Sequence, residues 1–233
     1  MLTRDTLDLV LGPHKDNVIK LDLLNRLGER FVKDGRTRGV TALSSPEAIK
    51  DEFLLDSLFG VTVLPQSGRV IDIGTGGGVP GLVLAIGRPD LEFVLTDSAS
   101  KKTKWVEELV SELNLENVTV VTRRLELLGR EEGFRESFDA VSAKALASLN
   151  VLTEFALPLL KVGGRLLAYK GPALGQELEE ARKALQELGG RVHRCTGYGI
   201  GDKTFSLCEV LKIAPTHERY PRRDGVPQKK PLK

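Results

Sequence analysis

Residues 69–81 read RVIDIGTGGGVPG, a short apolar run followed by five glycines and a proline. An apolar run closed by spaced glycines is a strand turning sharply toward a helix. Such turns cradle nucleotide-like ligands because the backbone can approach them closely. Gly76, Gly78 and Gly81 satisfy the G-x-G-x-x-G spacing of dinucleotide sites, which alone is a weak signal. Two neighbours favour a different ligand. Asp72 stands two residues before Gly74, giving D-x-G-x-G-x-G, and its carboxylate would repel a diphosphate but attract the ammonium of a methionine moiety. Pro80 removes a backbone N–H that a phosphate at a helix start would use. S-adenosylmethionine (AdoMet), with an amino-acid head and a neutral ribose, meets both conditions.

Downstream, Asp97 ends the apolar run EFVLTD about twenty residues after the glycines. A carboxylate there can accept hydrogen bonds from both ribose hydroxyls of an adenosine, with Ser98 and Ala99 along the ribose edge. The alternative role for Asp97 is a helix N-cap, since DSASKK opens a helix. In TRRLELL, Leu125 and Glu126 are placed to hold an adenine by an apolar contact and a polar acceptor; a plain helix start with solvated charge is the alternative.

From Arg69 onward, strand-like runs RVIDIG, EFVLTD, VTVVT, FDAVSA and GGRLLAYKG alternate with helical patterns in residues 100–115, 146–162 and 175–190. This rhythm predicts right-handed crossovers and a doubly wound parallel sheet. Residues 191–200 and 204–213 are two further strands too close together for a crossover helix, so they are expected to pair antiparallel. A parallel sheet ending in a reversed hairpin favours an AdoMet-dependent methyltransferase fold over a dinucleotide fold. Residues 2–64 carry a helical pattern in Leu7, Val10, Leu11, Val18, Leu21, Leu24 and Leu27, then again from Pro46 to Leu58 with Ser45 as N-cap; residues 33–39 read as a loop. The expected organisation is an N-terminal helical extension (1–65), an AdoMet-binding α/β domain (66–213) and a basic C-terminal tail (214–233).

The 233-residue chain has a net charge of only +2, but residues 216–233 alone hold +4. Such a tail suits contact with RNA phosphates, and a solvated end is the alternative. Two cysteines and three histidines offer no metal constellation or disulfide framework, and Cys195 and Cys208 are given no role. No apolar run approaches the roughly eighteen residues of a membrane span, and the N-terminus lacks a secretory pattern, so the expected location is the cytoplasm, without a membrane partner. Trp105 is expected to pack in or on the fold.

Together, VIDIGTGGGVPGLVLAIGRPDLEFVLTDSASKK, NLENVTVVTRRLE, FDAVSAKALASL, GGRLLAYKGP and the ending YPRRDGVPQKKPL resemble the glucose-inhibited-division-protein-B (RsmG) family. Members of that family methylate a guanine N7 in small-subunit ribosomal RNA. The resemblance runs from Ser67 to the C-terminus, with weaker echoes in VTAL and LLDSL. It implies a Rossmann-like class I AdoMet-dependent methyltransferase with a seven-stranded, mostly parallel sheet. AdoMet is the implied cofactor and 16S rRNA or the small subunit the implied partner, with guanine 527 as target; a monomer is the default state. The resemblance places Gly74 and Val79 on AdoMet, Asp97, Ser98 and Ala99 on its ribose, and Leu125 and Glu126 on its adenine. Asp72, Gly76, Gly78 and Lys144 complete the expected cofactor set. Lys144 stands where the family usually has the arginine of an SRA or ARA tripeptide, keeping the charge but losing the planar fork. Arg219, Tyr220, Arg222, Arg223, Lys229 and Lys230 are the expected RNA contacts, Tyr220 either stacking on a base or packing on the domain. The N-terminal region departs from the family pattern, with GVT and Glu52-Phe53 where NLT and a basic-histidine pair are common, and residues 1–65 carry a net −1.

Guanine N7 carries a free lone pair and no proton, so its methylation needs no general base; no catalytic side chain is expected. Rival readings are a small-molecule methyltransferase, a nicotinamide-dependent oxidoreductase and a non-catalytic RNA-binding relative.

Overall fold

A computed structural model describes residues 1–11, 20–43 and 45–233, so Val18 lies outside the described residues. Ahead of the sheet come α1 (Arg4–Leu11), α2 (Leu21–Arg30), α3 (Pro46–Ala48) and α4 (Asp56–Leu58). Ser45 caps α3, its Oγ accepting the Ala48 N–H at 3.0 Å. Wide π-type turns continue α2 through Phe31–Gly35 and join α3 to α4 through Ile49–Leu55. The expected loop at 33–39 therefore begins only after Gly35.

The seven apolar runs form β1 (Arg69–Ile73), β2 (Glu92–Asp97), β3 (Val118–Thr122), β4 (Phe138–Lys144), β5 (Leu160–Lys170), β6 (Gly190–Ile200) and β7 (Lys203–Lys212). Their order is β3-β2-β1-β4-β5-β7-β6, with β1 to β5 parallel and β7 antiparallel to both β5 and β6. The order reverses between β1 and β4. Loops leaving those two strands diverge and open a crevice at the strand C-termini, where such sheets bind ligands.

Between the strands lie α5 (Gly81–Gly87), α6 (Ser100–Glu112), α7 (Leu125–Leu128), α8 (Leu149–Ala156), α9 (Leu174–Glu180) and α10 (Arg182–Leu188); α11 (Val226–Lys229) follows the sheet. Two differences from the sequence pattern have local outcomes. The helix expected over 146–162 ends in the tight turn Leu157–Leu159, because Pro158 cannot donate to a continuing helix, and Leu160 already begins β5. The helix expected over 175–190 divides at Ala181 into α9 and α10.

Alternation along the strands builds two apolar layers. Val70, Phe93, Leu95 and Leu167 pack with the N-terminal helices, α5 and α6, whereas Ile71, Ile73, Val141 and Leu166 pack with α8 and α10. In the first layer, the buried Phe31 ring meets Phe53 and Trp105 edge-on at 5.0 and 5.9 Å between centroids. Trp105 is core, and its indole N–H donates to the Gly77 carbonyl at 3.1 Å. A Cβ on Gly77 would stand 3.0 Å from the Phe31 ring. The N-terminal region thus braces the glycine turn from behind. Among the described residues no helix is long and apolar enough to cross a membrane.

Candidate active site

A cavity of about 340 Å³ opens at the C-terminal ends of the strands, bounded by Gly74 after β1, Asp97 at the end of β2 with Ser98 next to it, and Leu125 and Glu126 after β3. Gly74 and Gly76 adopt φ of +65° and +58°, a region that side-chain-bearing residues rarely enter. A Cβ on Gly74 would lie 2.5 Å from the Leu146 side chain, whereas one on Gly76 would meet nothing closer than 3.9 Å. The turn is therefore tight at Gly74 and open at Gly76. Asp97 Oδ2 accepts the Gly76 N–H at 3.0 Å and its Oδ1 accepts the Ala99 N–H at 2.9 Å. Each carboxylate oxygen has two lone pairs, so both retain acceptor capacity for hydroxyls in the cavity. These residues fit an adenosine: a glycine backbone left open to close approach, an oriented carboxylate, and an apolar and a polar side chain beyond it.

Other expected cofactor residues stand further back. Gly78 and Val79 both donate their N–H to the Thr75 carbonyl, at 2.8 and 3.2 Å, and form the hinge of the turn. Ala99 is the N-cap residue of α6, behind Ser98. Glu126 lines the cavity and also accepts the Gly225 N–H at 3.0 Å, tying the tail to the cavity wall. Lys102, Arg123, Arg124 and Gln228 are lining residues that the sequence motifs did not indicate.

Two of the expected cofactor residues, Asp72 and Lys144, do not line this cavity. Asp72 is fully buried below the turn, with Oδ1 accepting from the Ser142 hydroxyl at 2.7 Å and Oδ2 from the Gly81 N–H at 3.1 Å. Its carboxylate fastens the helix start and the β4 neighbour to β1 instead of facing the cavity. Burial pushes its pKa up to about 6, with the hydrogen bonds from Ser142 and Gly81 pulling the other way. Lys144 ends β4 on the face of the N-terminal helices. Its ammonium pairs with the buried Asp56 at 2.6 Å and donates to the Glu52 carbonyl, so it lies off the cofactor cavity. Strand alternation sends Lys144 to the opposite face from Ala143.

The C-terminal segment is ordered against the domain. Arg130 donates to the carbonyls of Pro221 and Arg219 at 3.0 and 2.8 Å, and Arg135 to those of Tyr220 and Thr216 at 2.9 and 2.7 Å. Tyr220 is buried with its hydroxyl on Glu187, which removes it as a stacking platform and leaves its packing role. Arg222 clasps the fully buried Glu154, Nε at 2.9 Å and a terminal nitrogen at 2.6 Å. Arg130, Arg219, Arg222, Arg223, Lys229 and Lys230 together line a concavity of about 560 Å³. Arg130 was not expected there; it lies in the connection after α7, which carries no motif. Among the described residues no His, Cys, Asp and Glu grouping could hold a metal. Cys195 and Cys208 face one another across the β6–β7 hairpin, and burial pushes the Cys208 thiol pKa well up.

The sequence model for rRNA small subunit methyltransferase G (GidB) matches residues 20–205. Ribosomal RNA small subunit methyltransferase G of Moorella thermoacetica is 42% identical over 198 residues, 83% of this chain and 82% of that protein. Its counterpart in Deinococcus radiodurans is 40% identical over 233 residues, 98% of this chain and 89% of that protein. Among solved structures, a 16S rRNA (adenine(1408)-N(1))-methyltransferase mutant from Catenulisporales acidiphilia with cosubstrate SAM superposes with a TM-score of 0.51 at 15% identity, covering 64% of this chain and 87% of that one. A ribosomal protein L11 methylase from Lactobacillus delbrueckii subsp. bulgaricus gives 0.53 at 19% identity, covering 71% and 79%. Those likenesses establish the class I methyltransferase fold; with the switch-point cavity and the sequence matches over most of its length, this chain belongs to the rRNA small subunit methyltransferase G family.

Proposed function

We propose that this protein methylates N7 of a guanine in the 16S RNA of the small ribosomal subunit, with AdoMet as donor. The observation that carries the reading is the switch-point cavity, where Asp97, oriented by two backbone N–H groups, stands opposite Leu125 and Glu126. Asp97 receives the ribose hydroxyls with Ser98 alongside, and Leu125 and Glu126 flank the adenine. AdoMet supplies an electrophilic methyl on a sulfonium. The protein's part is to hold the acceptor nitrogen in line with that methyl, and no side chain has to remove a proton. The basic concavity of Arg219, Arg222, Arg223, Lys229 and Lys230, with Arg130, takes up RNA phosphates on the same side of the molecule as Gln228 and Gly225, which connect it to the cofactor cavity.

The test is incubation of small subunits lacking the modification with labelled AdoMet, then mapping of the label by nuclease digestion and mass spectrometry. The expected result is one methyl on a guanine N7 of the 16S RNA. Label on ribosomal protein, on a free metabolite, or on a different base atom would overturn the proposal.

A further inference from the structure

A second cavity of about 350 Å³ lies at the ends of β4 and β5 and shares Ala145 and Leu146 with the cofactor cavity as a common wall. Ala145 is one of three described non-glycine residues at positive φ, +52°, a strained conformation of the kind found where a site dictates backbone shape. The charged lining of this cavity is one ion pair; the hydroxyls of its other two polar residues, Ser148 and Tyr169, are engaged with Asn150 and the Ser57 carbonyl. Lys170 Nζ, on a side chain only 7% exposed, donates to the Ala147 carbonyl and to Glu177 Oε2, each at 2.6 Å. Glu177 Oε2 also accepts the Leu149 N–H at 2.7 Å. An ammonium has three donors and two are used, while Glu177 Oε1 has no protein partner among the described residues. The pair therefore offers one donor beside one acceptor.

We infer that the Lys170–Glu177 pair reads the acceptor base, Lys170 donating to guanine O6 and Glu177 accepting guanine N1–H. This rests on the proposal that guanine N7 is the methyl acceptor. Along the edge of guanine the order is N7, O6, N1–H. Lys170 Nζ bridges Ala147, the chain neighbour of the shared-wall residue Leu146, to Glu177, and this order of contacts matches N7 toward the cofactor cavity with O6 on Lys170 and N1–H on Glu177. Adenine offers the opposite pattern, a donor at C6 and an acceptor at N1, and would meet donor with donor and acceptor with acceptor. The pair also serves the chemistry. As the N7–CH₃ bond forms and the S–CH₃ bond breaks, positive charge passes from sulfur to the purine, and its N1–H becomes a stronger donor. The carboxylate of Glu177 stabilises that charge as it develops.

Small subunits reconstituted with RNA ligated to carry inosine or 2-aminopurine at the target position test the inference. Inosine keeps N7, O6 and N1–H; 2-aminopurine keeps N7 but lacks the other two. The wild-type protein is expected to methylate guanine and inosine at similar rates, and 2-aminopurine roughly tenfold or more slowly. Glu177→Gln should retain S-adenosylhomocysteine affinity and compress the inosine to 2-aminopurine ratio by about tenfold. Equal wild-type rates on inosine and 2-aminopurine would overturn the inference even if the variant did not fold. So would an E177Q variant that slows both substrates equally, as a merely structural role predicts. Methylation of guanine at another atom would remove the underlying proposal as well, and the control substrate reports that separately.

Discussion

The described residues of 1–65 and those of 216–233 dock on the same domain by opposite means. The N-terminal segment, at net −1, contributes Leu24, Leu27, Phe31 and Leu58 to the core and stands against the glycine turn through Phe31, beside Trp105 of α6. The C-terminal segment, at net +4, is held by arginines on backbone carbonyls and by one buried carboxylate, and turns its remaining cations outward. Apolar packing on one side fixes the shape of the cofactor turn. Polar docking on the other fixes where positive charge sits. A change in the first should therefore cost stability and cofactor binding, and a change in the second should cost RNA affinity.

Phe31→Ala breaks the N-terminal side hardest. It empties the space between Phe53, Trp105 and Gly77, and should destabilise the fold by about 3–5 kcal/mol in urea titration while weakening S-adenosylhomocysteine binding. A loss below about 1 kcal/mol would mean the segment is not the brace described.

Asp72, on β1 below the glycine turn, gives that turn a pH signature. Its folded pKa, about 6, lies above its ordinary value of 3.8, so the folded state binds the proton more tightly than the unfolded chain does. Its ionisation therefore works against folding above pH 6, and this penalty is relieved as pH falls through 6 toward 4. Relative to Asp72→Asn, the wild type should gain on the order of 3 kcal/mol between pH 8 and pH 4. A difference curve that is flat, or of opposite sign, would contradict the buried, strand-bracing position of this carboxylate.

On the tail side, Glu154→Ala removes the buried partner of Arg222 and should cost about 2 kcal/mol. Subunit binding should fall with it, and S-adenosylhomocysteine binding measured by calorimetry should hold. Replacing Arg223, Lys229 and Lys230 together with Gln should move stability by less than about 0.5 kcal/mol. The same triple change should lower subunit affinity and flatten its dependence on log salt by about two units, as expected for three lost phosphate contacts. An unchanged salt slope would remove the tail from the RNA interface.

The strands were legible because each is a short apolar run whose alternate residues serve two layers, and the reversed hairpin because no helix fits between residues 200 and 204. Gly74, Asp97, Leu125 and Glu126 reach one cavity for the same reason: each ends or follows a strand in the half of the sheet that the motif spells out. Lys144 could not, because one residue of strand register decides which face it takes, and its partner Asp56 lies 88 positions earlier. Asp72 looked like a ligand because spacing reveals nothing of burial. Lys170 and Glu177 meet only because α9 folds back beside the end of β5, and Arg130 and Arg135 act through backbone carbonyls that no side-chain pattern reports.

The central claim, that the cavity between Gly74, Asp97 and Glu126 holds the adenosine of AdoMet, is tested most directly by a crystal structure grown with S-adenosylhomocysteine and soaked separately with NAD. The ribose hydroxyls should lie on Asp97 with the adenine between Leu125 and Glu126, and NAD should leave the site empty. A diphosphate lying across the turn from Gly74 to Gly78, or an adenosine seated elsewhere, would contradict the account.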